Sequence, residues 1–458
     1  MNEFRVLAPT AILGYGFPET SFAEGMKRNP HVIAVDAGST DPGPYYLGSG
    51  ESFTDRNAVK RDLEYMLKAG VERDIPVIIG SAGGSGADSH LDWTVDIVLE
   101  IAKEQALTFK LGVIHAQIDK DIVLQQLKNG GLKPMSSVPP ITEAQIISST
   151  NIVAQMGNEP FIKALDEGAQ VIVAGRAYDP TVFACLAIKN GFDEGLALHM
   201  GKILECATIA AVPGSGSDCM FGTLRSDHFV LEPLSTVRKC TTLSVAAHTL
   251  YEKSDPTKLP GPGGTLDLTE CVFEQLTENS VRVSKTKFVP DKDYYVKLEG
   301  AARKGYRTVS IAAASDPIFI EKIDDIVADV KDRVKSNFAN FGDSDYFLDF
   351  KVYGKSGVSL MGDFGSKTKP AEICIVIEAV AQVQEIANTI CSFARSSLLH
   401  FGYDGRKSTA GNLAFPFSPS DFEAGEVFNF SVYCLMSSPN PCQYFPVHVN
   451  LCEKGELR

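Results

Sequence analysis

Short, wholly apolar runs alternate with amphipathic stretches through the first half of the chain. Residues 4–13 (FRVLAPTAIL), 31–35 (HVIAV), 109–118 (FKLGVIHAQI) and the VIIG and VIVAG runs read as strands. Strands covered on both faces have no polar side to show, so continuous apolar runs are their signature. Between them, 55–68 carries Val59, Leu63, Met66 and Leu67 on one helical face. A second helix starts after residue 86, with Leu91, Val95, Val98, Leu99 and Ala102 at helical spacing. Helices are also predicted near 120–128, at 142–156 and 160–167, through TVFACLAIKNG, and at 193–212. Strands that alternate with helices predict a mainly parallel α/β sheet with helices on both faces, here a domain 1–214.

Beyond residue 215 the texture changes. Turn-rich runs such as LPGPGGTLDL and NSVRVSKTKFVP predict β-rich, irregular structure. A strand at 306–314, a helix opened by Asp316 and Pro317, strands at 346–353 and 371–380, and a helix at 382–399 then follow. This β-α-β-β-α series resembles part of a ferredoxin-like unit, which makes 215–458 an α+β domain.

Candidate chemistry gathers where predicted strands end, the place ligands occupy in open α/β sheets. The 80–86 loop, GSAGGSG, lies between a strand and a helix. Ser81, Gly83, Gly84, Ser85 and Gly86 are candidates to hold an anion or carbonyl oxygen through backbone amides and the helix end. The loop lacks both the lysine of a phosphate-binding loop and the G-x-G-x-x-G spacing of a dinucleotide site. Arg176 and Tyr178 follow the VIVAG strand in GRAYDP, and a guanidinium there offers a rigid fork to a carboxylate. A pair between Arg176 and Asp179, with Pro180 opening a helix, is the equal alternative. Asp36 and Asp179 are candidates for proton transfer, with His90 beside the glycine loop as a third. Arg406 and Lys407, in GRKSTAGN with Ser408 and Thr409, form a further basic loop.

Composition narrows the picture. The 458 residues carry a net charge of −14, which argues against general affinity for nucleic acid or anionic membrane. No apolar run approaches the roughly 20 residues of a membrane helix, and the start of the chain has no signal-peptide pattern, so a cytoplasmic protein is expected. None of the ten cysteines shows C-x-x-C spacing, which predicts reduced thiols rather than a metal cluster. No cofactor is predicted, and a divalent ion at Asp36 and Asp41 stays open.

The run GNEPFIKALDEGAQVIVAGRAYDPTVFACLAI, continued by HMGKILECATIAA, resembles the acyclic terpene utilisation protein A family, with its GR-x-x-DP turn and Leu-Glu-Cys helix. The resemblance implies catabolism of branched acids or acyl-CoA derivatives, and a small ferredoxin-fold partner, fused or separate. The residues and the resemblance together predict an enzyme acting on a small carboxylate or CoA thioester by proton transfer. It would be a hydratase-type lyase or an isomerase, and a homo-oligomer. A non-catalytic ligand-binding subunit that needs a partner chain, and a nucleotide-dependent enzyme, are the alternatives.

Overall fold

The computed structural model describes residues 2–135, 138–251, 255–342, 345–358, 370–407 and 410–458. The chain divides into two compact units, one of Met1–Ala302 with Phe430–Arg458 and one of Arg303–Asn429. These limits differ from the expected break at 214/215. The reason is that Met220–Leu224 pairs antiparallel with the chain's first strand, and His228–Pro233 pairs with Met220–Leu224 in turn.

The first unit is built on five parallel strands: β1 (Phe4–Ala8), β2 (Val32–Asp36), β3 (Val77–Gly80), β4 (Thr108–Ile114) and β5 (Val171–Ala174). Their spatial order is β1-β2-β3-β5-β4. Antiparallel strands extend both sides, Met220–Leu224 beside β1 and Val447–Glu453 beside β4. Successive side chains point to opposite faces, and both faces are covered. Leu7, Ile33, Val35, Val77, Ile79 and Val173 pack with residues of helices α1 (Arg56–Glu72) and α2 (Asp88–Glu104). Val6, Ala34, Ile78 and Ile172 pack with residues of α3 (Asp179–Lys189) and α4 (Glu194–Leu204). The sheet is thus parallel at its centre and antiparallel on both flanks, with mixed α/β content in the chain as a whole.

Several elements differ from expectation. The first strand stops at Ala8 rather than residue 13. The buried face of α2 is Leu91, Thr94, Ile97, Val98, Ile101 and Ala102, so Val95 and Leu99 lie at its edge. The expected helix 142–156 is half helix and half strand. Thr142 and Gln145 cap a helix Glu143–Ser148, whereas Asn151–Ala154 pairs antiparallel with Leu298–Ala301. Helix 193–212 ends at Leu204, and a 3-10 turn Ala207–Ala210 follows. The long loop after Asp36 contains a short helix, Pro44–Ser49.

In the second unit, Ile373–Ala381 pairs antiparallel with both Tyr346–Tyr353 and the Tyr306–Ala314 stretch. Alternate residues Ile373, Ile375 and Ile377 face helices Pro317–Asn337 and Gln384–Leu399, which contribute Phe319, Ile323, Val330, Ile390 and Leu398 to the same core. All ten cysteines carry free thiols. Among the described residues no helix is long and apolar enough to cross a membrane.

Gly86 shows how tightly the strand ends are packed. Its φ is +68°, and a Cβ there would lie 2.1 Å from the Arg176 amide nitrogen. Gly130 has a similar φ, +71°, with nothing within 4 Å. Gly130→Ala is therefore expected to cost only the left-handed backbone penalty of about 1–2 kcal/mol, and Gly86→Ala distinctly more. Chemical denaturation of the two variants checks this, and equal losses would contradict the close approach.

Candidate functional site

The carboxyl ends of β2, β3 and β5 converge. Asp36 is the last residue of β2 and pairs in register with Gly80, the last of β3. Beyond β5 the chain continues as Gly175, Arg176, Ala177 and Tyr178 into α3, whose first residue is Asp179. The turn is held from outside, because Met156 N donates to Arg176 O (3.2 Å) and Tyr178 N donates to Met156 O (3.0 Å).

Arg176 is almost fully buried, with 3% of its side chain exposed. Its Nε donates to Glu299 Oε2 at 2.8 Å, and Nη1 donates to Ser81 Oγ (3.0 Å), Ala177 O (2.8 Å) and Asp179 Oδ1 (2.8 Å). Glu299 is 1% exposed and accepts further from Lys297 Nζ at 2.7 Å and Thr40 Oγ1 at 3.1 Å. Burial by itself would raise the Glu299 carboxyl, but Arg176 and then Lys297 outweigh it and hold it at about 2. Burial likewise opposes the Arg176 charge, and Glu299 and Asp179 overcome that and push its pKa above the ordinary value. Arg176 is therefore paired with two carboxylates through Nε and Nη1, and it also lines a cavity. The expected Arg176–Asp179 pair is present, and a buried glutamate completes the set.

Asp36 is the opposite case. It is 4% exposed, and its Oδ1 has no hydrogen-bond partner among the described residues. Burial first, and the charge of Asp179 second, push its carboxyl well above the ordinary value, with Arg176 and Ser81 pulling back. Two cavities share lining residues here. One, of about 190 Å³, is lined by Asp36, Asp41, Asp179 and Glu205 together with Tyr15, Phe53 and Tyr251. The other, of about 340 Å³, shares Asp41, Asp179 and Glu205 and adds Gln155, Arg176, Lys202, Lys258, Lys297 and Tyr433. Lys202 and Glu205, at the end of α4, form a buried ion pair. Burial works against the Lys202 charge, and Glu205 restores it and raises its pKa. Tyr178 lines the second cavity, its phenol raised by burial and then by Glu205.

Four amides of the 80–86 loop are used in hydrogen bonds within the protein. Ser81 N donates to Gly175 O (3.1 Å), Ala82 N to Ala174 O (2.9 Å), Gly84 N to Ser81 O (2.9 Å) and Gly86 N to Ala82 O (3.0 Å). The Ser81 and Ala82 amides tie the loop to the end of β5, those of Gly84 and Gly86 close turns within it, and Gly83 and Gly84 take positive φ to make the turn. Ser85 Oγ is buried without a partner among the described residues. His90 is structural as well. Its Nδ1 accepts from Ala87 N (3.2 Å), its Nε2 lies 2.8 Å from Glu51 O, and burial lowers its pKa. A neutral ring in that arrangement completes the start of α2 and has no free nitrogen for catalysis.

Arg406 and Lys407 belong to the second unit, where Arg406 holds its own turn through Phe401 O and Ala410 O. Ser408 and Thr409 lie outside the described residues. Among the described residues no group of three or more His, Cys, Asp or Glu side chains is placed to hold a metal ion.

The residues that sequence reasoning missed are Glu299, Lys297, Lys202 and Glu205. Lys297 and Glu299 are two apart beside buried Val296 and Leu298, an alternation that places both charges on one face of a strand. Lys202 and Glu205 stand three apart on a helix end, so they are neighbours in space.

Glu299 has a stability signature of its own. Its folded-state pKa lies below the ordinary 4.5, so its stabilisation is complete above that value and is lost as pH falls toward 2. Glu299→Gln is expected to flatten this part of the acid limb in pH-dependent unfolding. Arg176→Met, which strands a buried carboxylate, should cost about 3–5 kcal/mol. A wild-type acid limb in Glu299→Gln, or an Arg176→Met loss below 1 kcal/mol, would show that the pair is not as buried as described.

No curated protein and no solved structure matches the chain. The profile described as acyclic terpene utilisation family protein AtuA matches residues 52–215 and 228–414. The matched segments contain the Arg176 turn, α4 and the Glu299 strand, and extend over well more than half of the sequence. The chain therefore belongs to the acyclic terpene utilisation (AtuA) family.

Proposed function

We propose that this chain is a catabolic enzyme that moves a proton on a small carboxylate or acyl-CoA-type substrate, as a hydratase-type lyase or an isomerase. The observation that carries this reading is Asp36, a buried carboxyl with one oxygen unpartnered beside a cavity and a raised pKa. Asp179, held by Arg176, lines the same cavity. A carboxyl that favours its neutral form beside a second, ion-paired carboxyl is an arrangement that general acid–base chemistry uses. Asp36 serves as the acid and Asp179 as the base. Arg176 keeps Asp179 in place rather than touching substrate. Lys202, Lys258 and Lys297, each paired with one carboxylate (Glu205, Asp267 and Glu299), line the adjoining cavity and are the ammonium groups that would meet a carboxylate or thioester oxygen.

The second unit supports a ferredoxin-like reading, because Tyr346–Tyr353, Ile373–Ala381, Tyr295–Ala314 and Asp421–Ser437 are neighbours in that order. That order agrees with a split β-α-β arrangement, and its two helices share one core.

The test is exchange of substrate C–H hydrogens with deuterated solvent, across a panel of small carboxylates and CoA thioesters. Wild type is expected to catalyse exchange with at least one of them, and Asp36→Asn to slow it by about 10²–10⁴-fold, the usual contribution of a positioned acid or base. Unchanged exchange in Asp36→Asn would remove Asp36 from the chemistry.

A further inference from the structure

The wall of the 340 Å³ cavity contains a buried amide that the protein itself does not engage. Gln155 is 9% exposed and lines that cavity, and its carboxamide makes no hydrogen bond to any described residue. Its backbone is fixed on both sides. Gln155 follows the strand Asn151–Ala154, and its N donates to Lys297 O at 2.9 Å. The next residue, Met156, holds the Arg176 turn. The register that pairs Ala154 with Leu298 sets Gln155 opposite Lys297. Residues opposite one another on paired strands share a face, with Cβ atoms about 4.5–5.5 Å apart. The two side chains accordingly line the same cavity.

Buried polar groups are satisfied by protein, solvent or ligand, and in a cavity wall the last two are what remains. The chemistry of the pair narrows the ligand. A carboxamide offers both N–H donors and a carbonyl acceptor, and an ammonium offers three N–H donors. Lys297 Nζ uses one on Glu299 Oε1 at 2.7 Å and one on Tyr433 Oη at 3.5 Å, which leaves a third. A donor of that charge, beside an amide donor, suits an anionic oxygen pair. The donor and acceptor of a carboxamide share one carbon, so a ligand meets both when its own acceptor and donor are on neighbouring carbons. A carboxylate with a hydroxyl on the adjacent carbon has that arrangement. A carboxylate without the hydroxyl would leave the Gln155 carbonyl unpaired, at a cost in affinity.

We propose that Gln155 is a specificity-determining residue that, with Lys297, binds a 2-hydroxy carboxylate. Lys297 and the Gln155 amide nitrogen donate to the carboxylate, and the hydroxyl donates to the Gln155 carbonyl. This rests on reading the cleft as the substrate site, and it narrows the substrate class of that reading to hydroxy acids.

Calorimetric titration of the full chain with 2-hydroxybutanoate, 3-hydroxybutanoate, butanoate and butanamide tests it. Wild type is expected to bind 2-hydroxybutanoate about two- to tenfold more tightly than butanoate, the range of one hydrogen bond. Gln155→Met, similar in length but without the amide, should bind the two alike. Gln155→Glu keeps an acceptor, loses the donor and sets a negative charge beside the carboxylate, so it should weaken both. The Gln155 side chain bonds to no described residue, so both variants are expected to fold; thermal unfolding checks that, and the ligand series on wild type stands apart from them. The inference is overturned if no carboxylate binds wild type, if the hydroxyl brings no preference, if the preference survives in Gln155→Met, or if 3-hydroxybutanoate or butanamide binds best. Asp36-dependent hydrogen exchange on a substrate without a hydroxyl, with no hydroxyl preference in binding, would sink this inference and spare the proton-transfer reading. A hydroxyl preference that depends on Gln155, without exchange on any substrate, would do the reverse.

Discussion

A buried guanidinium–carboxylate pair organises the functional end of this molecule. Arg176 and Glu299 are 123 residues apart in sequence and almost wholly withdrawn from solvent. Neither charge is tolerable alone in that setting, since an unpaired buried ion costs several kcal/mol. The pair is completed by Ser81, Asp179, Lys297 and Thr40, which come from four separate segments. Loop ends that would otherwise be independent are thereby fixed to one another. The strand Asn151–Ala154 takes part by pairing with Leu298–Ala301, which sets the position of Glu299.

The same arrangement makes Asp36 unusual. The ions around it satisfy each other, while one of its own oxygens is left without a partner among the described residues. A carboxyl there favours its neutral form because it is desolvated and sits in the field of Asp179. The glycine loop contributes indirectly. Two of its amides bind the end of β5, which brings Ser81 to Arg176. Close approach accounts for Gly83, Gly84 and Gly86, where an added Cβ would meet His90, Phe53 and Arg176.

Much of this was legible in the chain. Apolar runs and helical spacing locate the parallel strands and most helices, because burial on both sheet faces leaves a plain hydrophobic record. The Arg176–Asp179 turn is also visible, as a charged group after an apolar strand with proline behind it. Glu299 is not, since its importance comes from a partner far away in sequence. Residues 151–154 misled for a related reason: the choice between helix and strand there was decided by pairing with Leu298–Ala301. In the glycine loop, local sequence shows where amides are dense but not where their hydrogen bonds go.

The protonation state of Asp36 is the most direct test of this account. Carboxyl carbon shifts of the folded chain labelled at aspartate can be followed with pH, with Asp36→Asn identifying the signal. The structure requires its midpoint to lie well above the ordinary aspartate value of about 3.9, so that Asp36 remains a proton donor where free aspartate has ionised. A midpoint at or below that value would mean that Asp36 is an ordinary carboxylate, and the acid assigned to this cleft would have to be found elsewhere.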